Sequence, residues 1–249
     1  MKLTNATWEE RNSGLTTCEI IFEKGDSIDD YLAAKVEDNY RYSVVKIPSV
    51  CIKLVNNLEE LGYRFIETQF NISVNTTEID RIDKKWLRVI KGTGINRLEN
   101  KNDLDFILFN VGTGMFCNDR ITLDEGLGKD ISTLRYTNWI KDLNEDENTE
   151  IFYLTKDSKR AGFFIIQKDS ENILHSVIAG IFNDFQGHGL SAALIYYYLI
   201  LARERNAKSV YTSISSNNLL MLNTFTKTVP FKTCQIFYVF RKHIKINPL

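Results

Sequence analysis

Residues 183–191 read Asn183-Asp184-Phe185-Gln186-Gly187-His188-Gly189-Leu190-Ser191. This stretch follows an apolar segment and opens another of about 16 residues, which is the length of a typical helix. Gly187 and Gly189 allow left-handed dihedral angles and a close approach of the backbone to a ligand. The first N–H groups of a helix have no partner within it, and the helix dipole favours an anion there. The stretch therefore predicts a loop that binds a pyrophosphate group.

The segment after this loop has the pattern of a helix that packs on a sheet. Its apolar residues recur at helical spacing. They are Leu190, Ala193, Leu194, Tyr197, Tyr198, Leu201 and Ala202. Before the loop, three strand-like runs at 151–155, 162–167 and 173–181 are joined by polar connections, which predicts an antiparallel meander. After the helix we expect a strand at 210–214, a short helix at 219–225 capped near Ser216 or Asn217, and a last strand at 234–240.

The N-terminal third alternates between apolar runs and turn residues. It predicts strands at 18–22, 42–47 and 63–74 and a helix at 51–61. Gly62 suits the left-handed position that ends this helix. The polar stretch 75–85 is the best boundary between two lobes, so we expect an N-terminal lobe over 1–85 and a second domain over 93–249.

The middle of the chain predicts a short strand and two helices. The strand is expected at 95–98, and the first helix at 104–109, capped by Asn102 or Asp103. The second helix is expected at 131–143, with Tyr136, Trp139, Ile140 and Leu143 on one face. Aromatic residues at this spacing usually pack in a core, and lining a pocket is the alternative role for Tyr136 and Trp139.

Composition excludes several classes of protein. The chain has 249 residues and a formal net charge of -1, so no overall field favours nucleic acid or an anionic membrane. No signal-peptide pattern or long uncharged apolar run is present, which predicts a cytoplasmic protein. The four cysteines are scattered and match no zinc-ligand spacing, so we expect no metal site.

Dinucleotide-binding proteins and phosphate-loop NTPases also place a glycine-rich loop between a strand and a helix. Here the loop lacks the Gly-Lys-Ser/Thr ending that binds a magnesium nucleotide. The strands before it are joined by hairpins, whereas a Rossmann unit has helical crossovers. Both nucleotide-binding interpretations are therefore disfavoured.

The run Gln186-Gly187-His188-Gly189-Leu190-Ser191 resembles the Gln/Arg-x-x-Gly-x-Gly/Ala signature of the GNAT superfamily of acyl-CoA-dependent N-acetyltransferases. The order of predicted elements over residues 95–242 is also that superfamily's order. The resemblance implies an α/β (α+β) fold, with a mixed, mostly antiparallel sheet flanked by helices and a smaller N-terminal α/β lobe. It also implies acetyl-CoA as the co-substrate and a primary amine as the acceptor.

The same resemblance assigns site residues. Ala179, Gly180 and Ile181 would pair with the pantetheine arm, and the amides of Gln186, Gly187, His188, Gly189, Leu190 and Ser191 would hold the pyrophosphate. Asn218 and Phe225 match an asparagine and an aromatic seven residues apart. Many relatives have tyrosine at the second position to protonate the departing thiolate, and Phe225 has no proton to give.

A narrower resemblance concerns the acceptor. Residues 116–121, 135–140 and 61–65 are similar to segments of dTDP-fucosamine (dTDP-4-amino-4,6-dideoxygalactose) N-acetyltransferases. This likeness implies a nucleotide-linked deoxy-amino sugar as the acceptor. The alternatives are an acetyltransferase for a protein, peptide or small-metabolite amine, and a non-catalytic acyl-CoA-binding module. A homodimer is a further expectation.

His175 is the candidate general base. Strand alternation predicts that His175, Val177, Ala179 and Ile181 share one face of the sheet. A histidine can accept a proton from an ammonium group near neutral pH. The alternative is a packing or hydrogen-bonding role for the same side chain.

Overall fold

Ten strands form one mixed sheet in a computed structural model that describes residues 1–169 and 171–244. Their order across the sheet is β1-β2-β3-β10-β4-β9-β8-β7-β6-β5. The strands are β1 (Lys2–Asn5), β2 (Thr17–Ile21), β3 (Tyr42–Pro48), β4 (Arg64–Asn75), β5 (Thr93–Arg97), β6 (Thr149–Lys156), β7 (Lys159–Lys168), β8 (Ile173–Ile181), β9 (Ser209–Ser215) and β10 (Lys232–His243). Only the pairs β2–β3 and β8–β9 are parallel among these. The predicted mixed, mostly antiparallel sheet is confirmed.

Helices cover both faces of this sheet. They are α1 (Thr7–Ser13), α2 (Ile28–Ala33), α3 (Val36–Asn39), α4 (Ile52–Glu60), α5 (Lys84–Ile90), α6 (Lys101–Gly112), α7 (Gly128–Glu145), α8 (Ser191–Glu204) and α9 (Leu219–Thr228). On one face, α8 and Phe225 of α9 pack in a core with residues of β4, β7 and β8. On the other face, Ile107 of α6 and Ile140 of α7 pack against Phe163 of β7. The predicted helix after the glycine loop thus lies on the sheet as expected.

The sheet is continuous across the predicted lobe boundary. Strand β10, at the end of the described chain, lies between β3 and β4, and Tyr238 pairs with Ile47 on one side and Thr68 on the other. The polar stretch 75–85 forms a 3-10 turn, Thr76–Arg81, and the first residues of α5. Both predicted lobes therefore share one sheet, and the division at residues 85 and 93 stays a prediction.

Two predicted helix caps are wrong. Helix α6 begins after Asn100, whose Oδ1 accepts the Asp103 N–H at 3.1 Å, and not at Asn102 or Asp103. Helix α9 is capped by Asn218, whose side chain accepts the Met221 N–H at 3.1 Å, and not by Ser216 or Asn217. In α6 the extended backbone of Asn100 lets its side chain reach the free N–H groups of the first turn.

A β-bulge in β8 overturns the expected arrangement of His175. Ile165 pairs with Ile178 and Ile166 pairs with Ser176, so Val177 is the extra residue. Val177 and Ile178 both pack on the α6–α7 face, whereas Ala179 and Ile181 pack on the α8 face. Leu174 also packs on the α8 side, so alternation places its neighbour His175 on the α6–α7 face. His175 and Val177 therefore lie on the face opposite Ala179 and Ile181, because the bulge shifts the alternation by one residue.

Candidate active site

Strands β8 and β9 pair at only one end. In the described chain, their last backbone pair joins His175 to Tyr211, and the Thr212 hydroxyl donates to the Ser176 carbonyl at 3.1 Å. Beyond this point both strands continue without pairing to each other, and both edges line a cleft of about 850 Å³. This parting of the two strands, which begins beyond the His175–Tyr211 pair, leaves backbone groups on one edge of β8 unpaired. Backbone N–H and C=O groups inside a protein need hydrogen-bond partners. An extended ligand can supply them.

The glycine loop stands at one end of this cleft. Gly187 and Gly189 have φ angles of 81° and 73°, which confirms the left-handed conformation expected of them. The Gln186 side chain donates to the Ile181 carbonyl at 3.3 Å and so holds the loop against the end of β8. Helix α8 begins at Ser191, directly after the loop.

Four successive backbone N–H groups of this loop are free. The amides of Gly187, His188, Gly189 and Leu190 donate a hydrogen bond to no acceptor within the described part of the chain. The first turn of α8 adds the positive end of the helix dipole. The His188 side chain lies beside the Phe185 carbonyl, with Nδ1 at 3.2 Å, so this residue can offer its main chain to a ligand. Free amides at a helix N-terminus form a binding site for a phosphate group.

The structure places seven of the eleven expected cofactor residues along the cleft. Those that line the cleft are Ala179, Gly180, Ile181, Gln186, Ser191, Asn218 and Phe225. Gly187, His188, Gly189 and Leu190 are not among the lining residues and lie in the loop at the end of the cleft. Gly180 also allows the loop at Met115 and Phe116 to approach β8, since a Cβ there would lie 2.5 Å from Met115 Cε. The Asn218 side chain caps α9. Phe225 is buried, and its ring packs edge-on against Phe231 at 6.4 Å.

His175 lies at the closed end of the parting between β8 and β9. Its Nε2 is 2.7 Å from Asp169 Oδ2, and its ring is 5.3 Å from that of Tyr211. Burial raises the pKa of Asp169, but hydrogen bonds from His175 and from the Ile173 and Glu171 amides outweigh it and lower that pKa overall. A carboxylate hydrogen-bonded to one imidazole nitrogen orients the ring and leaves the other nitrogen available for proton transfer.

An aromatic wall closes the opposite side of the cleft. Phe116 stacks on Tyr136 with ring centroids 4.2 Å apart, and Trp139 follows at 6.3 Å from Tyr136. Arg135 lies over the Trp139 ring at 5.1 Å. Tyr136 and Trp139 are half-buried and line the cleft, while Ile140, on the same helix, is in the core. Both aromatic residues pack against the core on this face and also line the cleft, so both interpretations apply to them.

Ion pairs hold this wall to the N-terminal part of the chain. Glu9 lies between Arg120 and Arg135, at 3.0 and 2.8 Å. Glu19 lies between Lys46 and Arg120, at 3.1 and 3.7 Å. Burial works against ionisation of Glu19, but the neighbouring Lys46 and Arg120 charges keep its pKa below the usual value. The charged floor of the cleft is thus largely compensated by its own partners.

Glu67 is a functional candidate that the sequence analysis missed. It lines the cleft from β4, is 6% exposed, and accepts a hydrogen bond from the Ser215 hydroxyl at 2.5 Å. No lysine, arginine or histidine lies within salt-bridge distance of it in the described chain. The sequence signal for Glu67 was the recurrence of long polar side chains at every second position of one strand, at Glu67, Gln69 and Asn71. The Lys46 and Arg120 charges act on Glu67 from beyond salt-bridge distance. Since neither cation contacts it, the Glu67 carboxylate can accept a hydrogen bond from a cationic ligand in the cleft.

Comparisons with known proteins bear on the fold. No protein-family model and no curated protein matches the sequence. A GCN5-related N-acetyltransferase from Sphaerobacter thermophilus superposes with a TM-score of 0.66 at 11% identity, covering 98% of this chain and 76% of that one. A functionally unknown conserved protein from Staphylococcus epidermidis gives 0.63 at 12% identity, with coverages of 92% and 85%. A tandem GNAT protein from the clavulanic acid biosynthesis pathway gives 0.58 at 11% identity, with coverages of 93% and 76%. The chain therefore has the GNAT fold, as the glycine loop and the order of elements predicted.

None of the described helices is both long and apolar enough to span a bilayer. Within the same residues, no group of three or more His, Cys, Asp or Glu side chains is arranged to hold a metal ion.

Proposed function

We propose that the protein is an acetyl-CoA-dependent N-acetyltransferase that acetylates a primary amine. The observation that carries this proposal is the row of four free amides, Gly187 to Leu190, at the end of the parting between β8 and β9. A pyrophosphate fits the amides, and the extended pantetheine arm fits the unpaired edge of β8 at Ala179, Gly180 and Ile181. Acetyl-CoA supplies the activated acetyl thioester.

Backbone amides of β8 and the His175 side chain would carry out the acetyl transfer. The thioester lies near the bulge at Val177, where unpaired N–H groups of β8 stabilise negative charge on the carbonyl oxygen. The amine approaches from the aromatic wall on the α7 side and attacks the carbonyl carbon. His175, oriented by Asp169, accepts the proton that the amine loses. Holding both reactants in one cleft supplies much of the acceleration.

The acceptor we propose is a nucleotide-linked deoxy-amino sugar. The stacked Phe116 and Tyr136 offer flat apolar surface to a base or a sugar ring, and Arg135 lies at the same wall. A peptide or small-metabolite amine would use the same chemistry, and an acyl-CoA-binding module would use the loop alone. A homodimer and a cytoplasmic location stay predictions.

Calorimetry and turnover assays separate these functions. We expect heat of binding with CoA, and thiol release from acetyl-CoA with one or more nucleotide-linked amino sugars. Turnover only with peptides or small amines would replace the sugar by that acceptor. CoA binding without turnover on any amine would leave a binding module, and absence of CoA binding would refute the proposal altogether.

Replacing His175 by glutamine is expected to slow acetyl transfer about 100-fold, because the amide side chain cannot accept the amine proton. The dissociation constant of CoA should not change, since His175 lies at the far end of β8 from the glycine loop. Steady-state kinetics and calorimetry measure the two quantities.

Asp169→Asn is the matched variant. It keeps the imidazole but weakens its orientation, so its rate should fall between those of the wild type and His175→Gln. Equal rates for all three proteins would exclude His175 as the base.

Replacing Glu67 by glutamine is expected to raise the KM for the amine about tenfold, because a charged hydrogen bond to the ammonium group is worth about 1.5–3 kcal/mol. The Ser215 hydroxyl can still donate to the new side-chain oxygen, so the fold should be preserved. The measurement is initial rate against amine concentration at saturating acetyl-CoA. The KM for acetyl-CoA is the internal control and should stay the same. A rise in both KM values would indicate a general disturbance of the cleft.

A further inference from the structure

Tyr198 carries a buried hydroxyl that the reaction described above does not use. The residue lies on α8 and is 1% exposed, and it lines the cleft. Its hydroxyl has no hydrogen-bond partner in the described structure. An unpaired buried hydroxyl costs about 1–3 kcal/mol in folding free energy, so native proteins seldom keep one without a reason.

The packing of Tyr198 places this hydroxyl beneath the closed end of the parting. The Tyr198 ring meets Phe164 of β7 edge-on, with centroids 5.1 Å apart. Tyr198 is seven residues after Ser191, which corresponds to about 10 Å along α8 from the glycine loop. Ser176 of β8, beside the last pair of β8 and β9, is its polar neighbour, although the two side chains form no hydrogen bond. The hydroxyl is therefore close to the bulge at Val177, on the α8 face of the sheet.

The proposed acetyl transfer needs a proton at this place. When the C–S bond of the thioester breaks, the electron pair leaves on sulfur, and the thiolate must acquire a proton. Phe225 lines the cleft from α9 and cannot donate one. His175 lies on the opposite face of the sheet, where it faces the amine. A donor on the α8 face would separate the two proton transfers in space.

We propose that Tyr198 is the general acid that protonates the departing CoA thiolate, an inference that rests on the proposed acetyltransferase function. The ammonium group of the acceptor first loses one proton to solvent. The neutral amine nitrogen then forms the new N–C bond and gives its second proton to the base, the C–S bond breaks, and the sulfur receives the Tyr198 hydroxyl proton. The tyrosinate regains a proton from water as the products leave. No other reactant is required.

The environment of Tyr198 suits this role. Burial raises the pKa of the Tyr198 phenol, so the hydroxyl is fully protonated near neutral pH. The same burial raises the pKa of a thiolate released beside it. The Tyr198 hydroxyl and the departing thiolate are therefore both shielded from water when the proton passes between them.

The test is Tyr198→Phe in the full-length protein. We expect kcat to fall about 100-fold while the dissociation constant of CoA changes less than twofold. The variant should be at least as stable as the wild type in urea unfolding, because it loses an unpaired buried hydroxyl and no packing volume. Tyr196→Phe, on the same helix and outside the cleft lining, is the matched control and should keep the wild-type kcat.

A second substitution tests the role directly. Phe225→Tyr introduces a hydroxyl from the neighbouring helix, and in the Tyr198→Phe background it should restore at least a tenth of the wild-type kcat. An unchanged kcat in Tyr198→Phe would overturn the proposal, and so would a loss of CoA binding that parallels the loss of rate. If the wild-type protein binds no CoA, the acetyltransferase function itself fails, which is a different result from an active Tyr198→Phe variant.

Discussion

Replacing Gly187 by glutamate is expected to weaken CoA binding about a thousandfold. The residue lies in the row of four free amides and has a φ angle of 81° with open space where a Cβ would stand. A carboxylate there repels the pyrophosphate and competes for the same N–H groups. The loss of two or three charged hydrogen bonds amounts to about 4 kcal/mol, and each 1.4 kcal/mol is a factor of ten in affinity. Calorimetry with CoA measures the change.

Gly128→Glu is the matched control for this substitution. Gly128 also has a φ angle of 81°, and nothing lies within 4 Å of a Cβ built on it. Both variants thus introduce the same side chain and a similar left-handed strain, which costs about 1–2 kcal/mol. We expect the two proteins to unfold at similar temperatures and only Gly187→Glu to lose CoA. Equal CoA affinity in the two variants would show that the free amides do not hold the pyrophosphate.

Local signals in the sequence predicted the centre of the fold well. Strand β8 has the bounds 173–181 that its apolar run predicted, and α8 begins where the glycine loop ends. These features depend on residue spacing and on the dihedral freedom of Gly187 and Gly189, which are properties of a short segment. Short elements with weak periodicity were missed, among them α1, α5 and β1. Seven or fewer residues hold too few turns or alternations to display a period.

Contacts between distant parts of the chain determine the features that the sequence did not predict. The position of β10 between β3 and β4 joins residues more than about 150 positions apart in the sequence. The extra residue at Val177 is visible only in the pairing of β7 with β8, so alternation placed His175 on the wrong face. The unpaired hydroxyl of Tyr198 and the carboxylate of Glu67 stand out only once their neighbours are known. Candidate cofactor residues were therefore easier to name than candidate catalytic residues.

Asp124 anchors the loop between α6 and α7, which carries Phe116 of the aromatic wall. Its side chain is 0% exposed, and Oδ2 lies 2.9 Å from the Tyr42 hydroxyl and 3.0 Å from Arg241 Nε. Oδ1 lies 2.8 Å from His243 Nε2 and accepts the Gly126 N–H at 2.9 Å. Tyr42 lies on β3, and Arg241 and His243 lie on β10. One buried carboxylate thus joins the loop that carries Phe116 to the sheet.

Asp124→Ala is expected to lower the free energy of unfolding by about 3–5 kcal/mol, because it leaves the charge of Arg241 buried without its partner. Urea unfolding measures this quantity, and Asp124→Asn, which keeps the volume of the side chain, serves if the alanine variant does not fold.

Asp80→Ala is the control. Asp80 is 76% exposed and lies 3.3 Å from Arg203, and an exposed pair of this kind contributes about 0–1 kcal/mol. Since the loop carries Phe116 of the aromatic wall, the asparagine variant should also raise the KM for the amine while the CoA affinity stays the same. Similar small losses of stability in the Asp124 and Asp80 variants would show that the buried carboxylate does not anchor this wall.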